Sequence, residues 1–232
     1  GDAVMEVLER RLGVLAGLDE SADTTVIQMS TISRAETLTA AEAVREAGGR
    51  YVDAPVFGTV DPAEEGTLSI FPSGDRDVVE EVWGVFEILG DSIIYAGETG
   101  QGTNLKLTVN LLLGNMMGAF AEALTFGVGH GLSPADVLDA IESGPVHAPL
   151  FGVKGASILD REFDPHFPVE KQHKDLTIAL EAAGETGLTL PQTAAARESF
   201  SAAIARGYGD QDMSAVIKHL EETAGLEVEG EE

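Results

Sequence analysis

This sequence predicts an α/β fold followed by an all-α one, and three observations predict it. Up to Gly97, short β-rich runs alternate with stretches of helical apolar spacing, the pattern of an open α/β sheet. After Gly97 the strand signals stop and only helical patterns follow. The chain has 232 residues of which 44% are apolar, enough to build the core of one large domain or two small ones. The boundaries read from these signals are an α/β part over 1–97, an all-helical part over 98–224 and an acidic tail over 225–232.

The elements follow in order. "AVMEVLERRLGVL" (3–15) has helical spacing, "TTVIQMS" (24–30) is a short β-rich run, and "AETLTAAEAVREAG" (35–48) is a helix closed by Gly48 and Gly49. Strands are predicted at "RYVDAPV" (50–56), "TLSIFPSG" (67–74) and "DSIIYAG" (91–97), with a helix over 76–89. Residues 102–130 form a long helix whose "LLLGNMMGAFAEAL" (111–124) is too apolar for a surface helix, so it is buried all round, by its own domain or by a second subunit. Gly114 and Gly118 give it a small face for another helix, and a homodimer through this half is expected. Ser133 and Pro134 open the next helix as N-cap and first residue. Further helices are expected over 152–160, 168–186, 191–207 and 212–222, and the "EVEGEE" end is expected to be frayed and solvated.

Charge excludes some partners. Lys and Arg total 14 against 40 Asp and Glu, a net charge of −26 spread along the chain, so nucleic acid and anionic membrane are poor partners. With only five lysines and many small residues, the balance resembles that of salt-adapted, halophilic proteins. Dense carboxylates repel in dilute buffer, and a Debye length of roughly 3 Å at 1 M salt removes most of that penalty. An ordinary acidic protein is the alternative. Cysteine is absent, which excludes disulfides and thiol nucleophiles. No signal peptide and no uninterrupted apolar run of membrane-spanning length is found, so a cytoplasmic protein is expected.

One lysine stands out. "GQGTNLKLTVNLLLGN" (100–115) places Lys106 in an uncharged, largely apolar helix, and Asn110 lies four residues on, on the same face. The Gly-rich turn before the helix favours an anionic ligand at its N-terminus. Lys106 can be a packing residue that lays its stem on apolar surface. It can equally be a half-buried general acid or base, with Asn110 orienting a hydroxyl or the lysine. His166 and His173, seven apart, have no metal-ligand spacing; both are read as structural or surface residues, and no metal is called for.

Four separated stretches, "IQMSTIS" (27–33), "YVDAPVFGTVDPAEEGTL" (51–68), "GQGTNLKLTVN" (100–110) and "KQHKDLTIALEAAGETGLTLP" (171–191), resemble the β-hydroxyacid dehydrogenase family in order and spacing. That family includes 3-hydroxyisobutyrate dehydrogenase and tartronate semialdehyde reductase and is related to 6-phosphogluconate dehydrogenase. The resemblance implies a Rossmann-type doubly wound sheet, here partial, with a helical 6-phosphogluconate dehydrogenase-like C-terminal domain. It implies NAD or NADP as cofactor and a small-molecule substrate, with hydride moving between nicotinamide and a carbonyl carbon while Lys106 gives the oxygen its proton. Gly100, Gly102 and Lys106 fill the family's G-x-G-x-x-x-K pattern, and Asn110 falls where the family contacts substrate. Ser30 and Thr31, in "STIS", would line the nicotinamide end at the carboxyl edge of the sheet. The same stretch also reads as a turn that caps the next helix. Lys174 and Asp175 match the family's KD pair near cofactor or substrate; read without the resemblance, they are a solvated pair on a helix.

Two departures from the family pattern bear on function. The usual substrate loop D-A-P-V-S-G-G is here Asp53-Ala54-Pro55-Val56-Phe57-Gly58-Thr59. Phe57 replaces the serine hydroxyl with bulk, leaving Gly58 and Thr59 as amide donors and Thr59 as a substitute hydroxyl, so that an apolar carbonyl or imine suits the loop at least as well as 3-hydroxyisobutyrate. Second, no G-x-G-x-x-G turn for a pyrophosphate precedes residue 24. By resemblance, the chain is expected to open in the second half of the nucleotide-binding domain, and a first residue other than methionine agrees with a fragment. A non-catalytic helical dimer or fragment is the alternative from another class.

Overall fold

Helix α1 (Asp2–Glu9) stops earlier than its predicted 3–15: Leu12 is 89% exposed, and the chain turns at Gly13 into a 3-10 turn at Leu15–Gly17, where Leu15 packs against the core around Leu8. The computed structural model describes residues 1–18 and 23–230. Strand β1 (Thr25–Gln28) pairs in parallel with β2 (Arg50–Asp53), Gln28 opposite Asp53. Between them runs α2 (Arg34–Glu46), which packs Ala40, Ala41 and Val44 against Leu8 and Tyr51. Its start carries a full capping box: the Ser33 hydroxyl accepts from Glu36 N, and Glu36 Oε2 accepts from Ser33 N at 2.8 Å.

The predicted strand over 50–56 breaks at Ala54-Pro55. Proline has no N–H for a ladder, and the chain turns there into β3 (Val56–Phe57), which pairs antiparallel with β4 (Leu68–Ile70). Helix α3 (Val60–Glu65) fills the connection and ends on Gly66, whose φ of +69° suits glycine. The predicted helix over 76–89 divides at Val82 into α4 (Arg76–Glu81) and α5 (Trp83–Leu89), since Val82 leaves the helical region at ψ 4°. Strand β5 (Gly90–Ile93) then pairs in parallel with β4. Val52, Ile70, Val79 and Phe86 form the core on this sheet.

Helix α6 (Gln101–Gly129) is long and apolar enough to span a bilayer by length and composition, but it buries Met117, Phe120, Ala121 and Leu124 in a protein core. The chain forms two compact units, Gly1–Val109 and Asn110–Glu232, with the start of α6 in the first of them. The cause is close packing of the first turn of α6 within the first unit: a Cβ on Gly102 would lie 2.1 Å from Phe71 O.

In the second unit α7 (Pro134–Ser143), α8 (Pro149–Leu159), α9 (Val169–Glu185), α10 (Pro191–Ala205) and α11 (Ile217–Ala224) surround the rest of α6, with a 3-10 turn at Met213–Val216 before α11. Pro134 is the first residue of α7 as predicted, but the Ser133 hydroxyl makes no cap bond; its carbonyl accepts from Val137 N instead. The small face of α6 is occupied from within the chain. Gly114 meets Gln172 and Leu176 of α9, and Gly118 meets Ala196 of α10.

The end of the chain corrects an expectation. Val228 is fully buried, its N–H donates to Glu221 Oε1 at 2.8 Å, its carbonyl accepts from Arg161, and Gly230 N donates to Leu159 O. A valine in an acidic stretch anchors it, so 225–230 is neither frayed nor fully solvated; Glu231 and Glu232 lie outside the described residues.

Candidate active site

Lys106 is 6% exposed, and its Nζ lies 4.9 Å from the centre of the Phe57 ring. Cation–π attraction of this kind favours an ammonium and excludes water from one side of it. The lysine is thus held within the first unit, against an aromatic ring. Phe57 itself is half-buried at the end of β3, Gly58 has a φ of +144° and is exposed, and Thr59 precedes α3 with extended backbone. A Cβ at Gly58 would meet Leu68 at 2.6 Å, so the loop needs glycine there for both conformation and space.

Below Lys106 is a buried polar cluster that spacing alone did not single out. Asp53 Oδ2 accepts from Thr103 N at 2.9 Å and from Ser73 Oγ at 3.0 Å, while Oδ1 accepts from Thr103 Oγ1 at 2.9 Å. Thr103 Oγ1 also shares a hydrogen bond with Thr37 Oγ1 of α2. Asp53, Ser73 and Thr37 are 0% exposed. Burial pushes the Asp53 carboxyl above the usual carboxylate range, against the hydrogen bonds from Thr103, Ser73 and the Gly100 backbone, which hold it down. The available signals were an aspartate ending an apolar strand and a threonine three residues before Lys106; neither names its partner.

At the carboxyl end of β1, Ser30 is exposed, its carbonyl accepts from Gln28 Nε2 at 2.9 Å, and Thr31 is half-buried. A groove of about 370 Å³ runs beside them, lined by Val4, Val7, Leu8, Ile27, Met29 and Ser30. Gln28 Oε1 is buried there without a hydrogen-bond partner. An apolar groove with an unsatisfied acceptor suits a flat carboxamide-bearing ring, so these residues fit the nicotinamide end of a dinucleotide.

The second unit holds the other expected residues. Asn110 is 0% exposed; its Nδ2 donates to Asp175 Oδ2, and its carbonyl accepts from Gln172 Nε2 at 3.0 Å. With the amide nitrogen turned to a carboxylate, Asn110 Oδ1 is left buried and unpartnered. Lys174 is half-exposed, its Nζ 3.0 Å from Asp175 Oδ1, but this contact is outside hydrogen-bond geometry. Asp175 lies on the buried face of α9, so only the lysine end of the pair meets solvent. His173 bonds Ser201 and its pKa is lowered by burial and by Arg197, while the His166 N–H donates to Asp212.

Comparison with known proteins names the class. Residues 100–220 match the family profile described as the NAD-binding domain of NADP-dependent 3-hydroxyisobutyrate dehydrogenase, and residues 1–97 that of the NAD-binding domain of 6-phosphogluconate dehydrogenase. The chain is 38% identical to glyoxylate/succinic semialdehyde reductase 1 of Arabidopsis thaliana, over 93% of this chain and 74% of that one. It is 40% identical to 2-(hydroxymethyl)glutarate dehydrogenase of Eubacterium barkeri, over 94% and 72%. Among solved structures, 3-hydroxyisobutyrate dehydrogenase of Mycobacterium tuberculosis with L-serine superposes with a TM-score of 0.83 at 28% identity, covering 94% of this chain and 76% of that one. The class is that of the NAD(P)-dependent dehydrogenases and reductases, with an α/β part followed by a helical one. Within it, the chain belongs to the β-hydroxyacid dehydrogenase family, and NAD or NADP is its cofactor.

Proposed function

We propose that this β-hydroxyacid dehydrogenase interconverts a small semialdehyde or oxo acid and its hydroxy acid, with Lys106 as the general acid and base. The observation that carries the reading is a lysine buried beside the Phe57 ring near the start of α6. When bound, the nicotinamide gives or takes the hydride. Lys106 protonates the carbonyl oxygen during reduction and removes the hydroxyl proton during oxidation. Asn110, whose Oδ1 is buried and unpartnered, accepts a hydrogen bond from the substrate. Phe57, Gly58 and Thr59 are assigned to the substrate loop, Ser30 and Thr31 to cofactor binding, and Lys174 and Asp175 to cofactor binding as the family's KD pair.

Phe57 favours a second reading within the same chemistry. Its ring stands beside the lysine that must meet the carbonyl, so an apolar carbonyl or an imine suits it better than 3-hydroxyisobutyrate. The test is oxidation of NADH and NADPH by this chain in concentrated KCl. Glyoxylate, succinic semialdehyde, an apolar aldehyde and a cyclic imine are offered in turn, with circular dichroism confirming the fold. Turnover of an acid semialdehyde supports the first reading and turnover of the imine alone the second. A folded chain that turns over none of them sinks both.

Composition and surface support a salt-adapted, cytoplasmic homodimer that takes neither nucleic acid nor membrane as partner. The charge is −26, and Leu112, Phe126, Val146 and Val153 of the helical unit are all more than half exposed. One series in rising KCl checks both points. The melting temperature should rise with salt as repulsion is screened, and light scattering should return twice the chain mass. A flat melting temperature refutes salt adaptation; a single-chain mass at high salt refutes the dimer.

A further inference from the structure

The first N–H groups of a helix have no acceptor within it, and a side chain at the N-cap normally supplies one. The residue before α6 is Gly100, which has no side chain to do this. The acceptor comes instead from Asp53, fifty residues earlier in the chain, whose carboxylate takes both the N–H and the hydroxyl of Thr103, the third residue of the helix. Asp53 is tied in turn to its own strand end. Asp53 N donates to Ser73 O at 3.0 Å, Ser73 N donates to Asp53 O at 2.7 Å, and the Ser73 hydroxyl donates to the carboxylate.

Lys106 follows Thr103 by three residues and lies on the same helical face. The group that caps α6 therefore also sets where that face stands against the strand ends. Little slack remains, since a Cβ on Gly102 would lie 2.1 Å from Phe71 O and 3.1 Å from Asp53 O. A helix pressed this closely onto backbone and gripped by a buried carboxylate has its height and rotation determined at the turn that carries the lysine. Burying a carboxylate is costly unless it is hydrogen-bonded, and an apolar residue would have filled the space more cheaply.

We propose that Asp53 is a positioning residue for Lys106, a cap supplied from β2 that holds the first turn of α6 so that the ammonium meets the substrate oxygen. The proposal rests on the reading of Lys106 as acid and base. Misplacement by about 1 Å can cost on the order of 100-fold in rate, so the clamp acts on turnover and not on substrate affinity.

The test is a double-mutant cycle on the full chain, reading kcat and KM with NADPH or NADH and the best substrate of the screen above. Asp53→Ala removes the acceptor. Asp53→Asn keeps an oxygen for Thr103 N–H and Ser73 Oγ, while its NH2 faces a Thr103 hydroxyl that can turn to accept. Asp53→Ala is expected to lower kcat about tenfold or more with KM within about twofold, and Asp53→Asn to stay within about threefold of wild type. In a Lys106→Ala background, Asp53→Ala should change the residual rate by less than about twofold, because the group it positions is gone.

Equal losses from Asp53→Ala in both backgrounds would overturn the proposal and leave a purely structural cap. So would an Asp53→Asn variant as impaired as Asp53→Ala. If Asp53→Ala does not fold, Thr103→Val carries the same cycle, with an expected loss of about threefold that vanishes without Lys106. A Lys106→Ala enzyme with unchanged kcat overturns the acid–base reading itself and this proposal with it, and is told apart from the other failures by that single variant.

Discussion

Lys106→Ala should lower kcat by about 100- to 10,000-fold, the range that a positioned proton donor contributes, while the protein still folds. The fold should survive because the first turn of α6 is held by Gly102 packing and by the Thr103–Asp53 hydrogen bonds, not by the lysine. Lys106→Arg should fail nearly as badly, since a guanidinium keeps the charge but cannot give up its proton at the pH of turnover. Steady-state turnover beside a thermal melt decides the matter. Unchanged turnover with a lowered melting temperature would return Lys106 to the role of a packing residue.

Lys154→Ala should destabilise the helical unit by about 2–4 kcal/mol, near the lower end of what breaking a buried ion pair costs. Lys154 Nζ of α8 lies 2.8 Å from Asp212 Oδ2, and both side chains are buried. The same carboxylate accepts from the N–H groups of His166, Phe167 and Ser214 and from the Ser214 hydroxyl, so it joins α8, the loop before α9 and the 3-10 turn before α11. Those remaining donors moderate the loss. Burial raises the Asp212 carboxyl, but the hydrogen bond and charge of Lys154 and the Ser214 donors outweigh it and hold it below the usual carboxylate range.

A lowered folded-state pKa means that the ionised form is favoured by folding. Its stabilising contribution is present above the unfolded value of about 3.9 and is lost as pH falls through the lower folded value. The gap in denaturation midpoint between wild type and Asp212→Asn should therefore be largest at neutral pH and close in acid. A gap that is constant with pH would assign the effect to packing instead of charge. Equal midpoints for wild type and Lys154→Ala would mean that desolvation cancels the attraction of the pair.

Much of the candidate site was legible because it lies in short stretches. Lys106 shows itself as a charge in an apolar helix, and Asn110 follows at one turn whatever the helix packs on. The Ser33–Glu36 capping box is complete within four residues. What spacing could not supply were partners far apart in the chain: Asp53 with Thr103, Lys154 with Asp212, and Val228 with the helices that bury it. The break at Pro55 was visible as a proline. The reversal into an antiparallel β3–β4 pair, which sets Phe57 beside Lys106, was not.

By itself, then, the sequence determined what hydrogen-bonding preference, apolar period and covalent spacing decide locally: the order of strands and helices, the change of texture after Gly97, the family motifs and the lysine proposed as acid and base. Only the tertiary structure decided which polar groups are buried and what they meet. A glycine before α6 looks like a helix without a cap until Asp53 is brought to it, and an acidic tail looks solvated until one valine finds a core. Local preferences act over a few residues, whereas the free energy of burying a polar group is settled by whichever partner the folded chain places within about 3 Å of it.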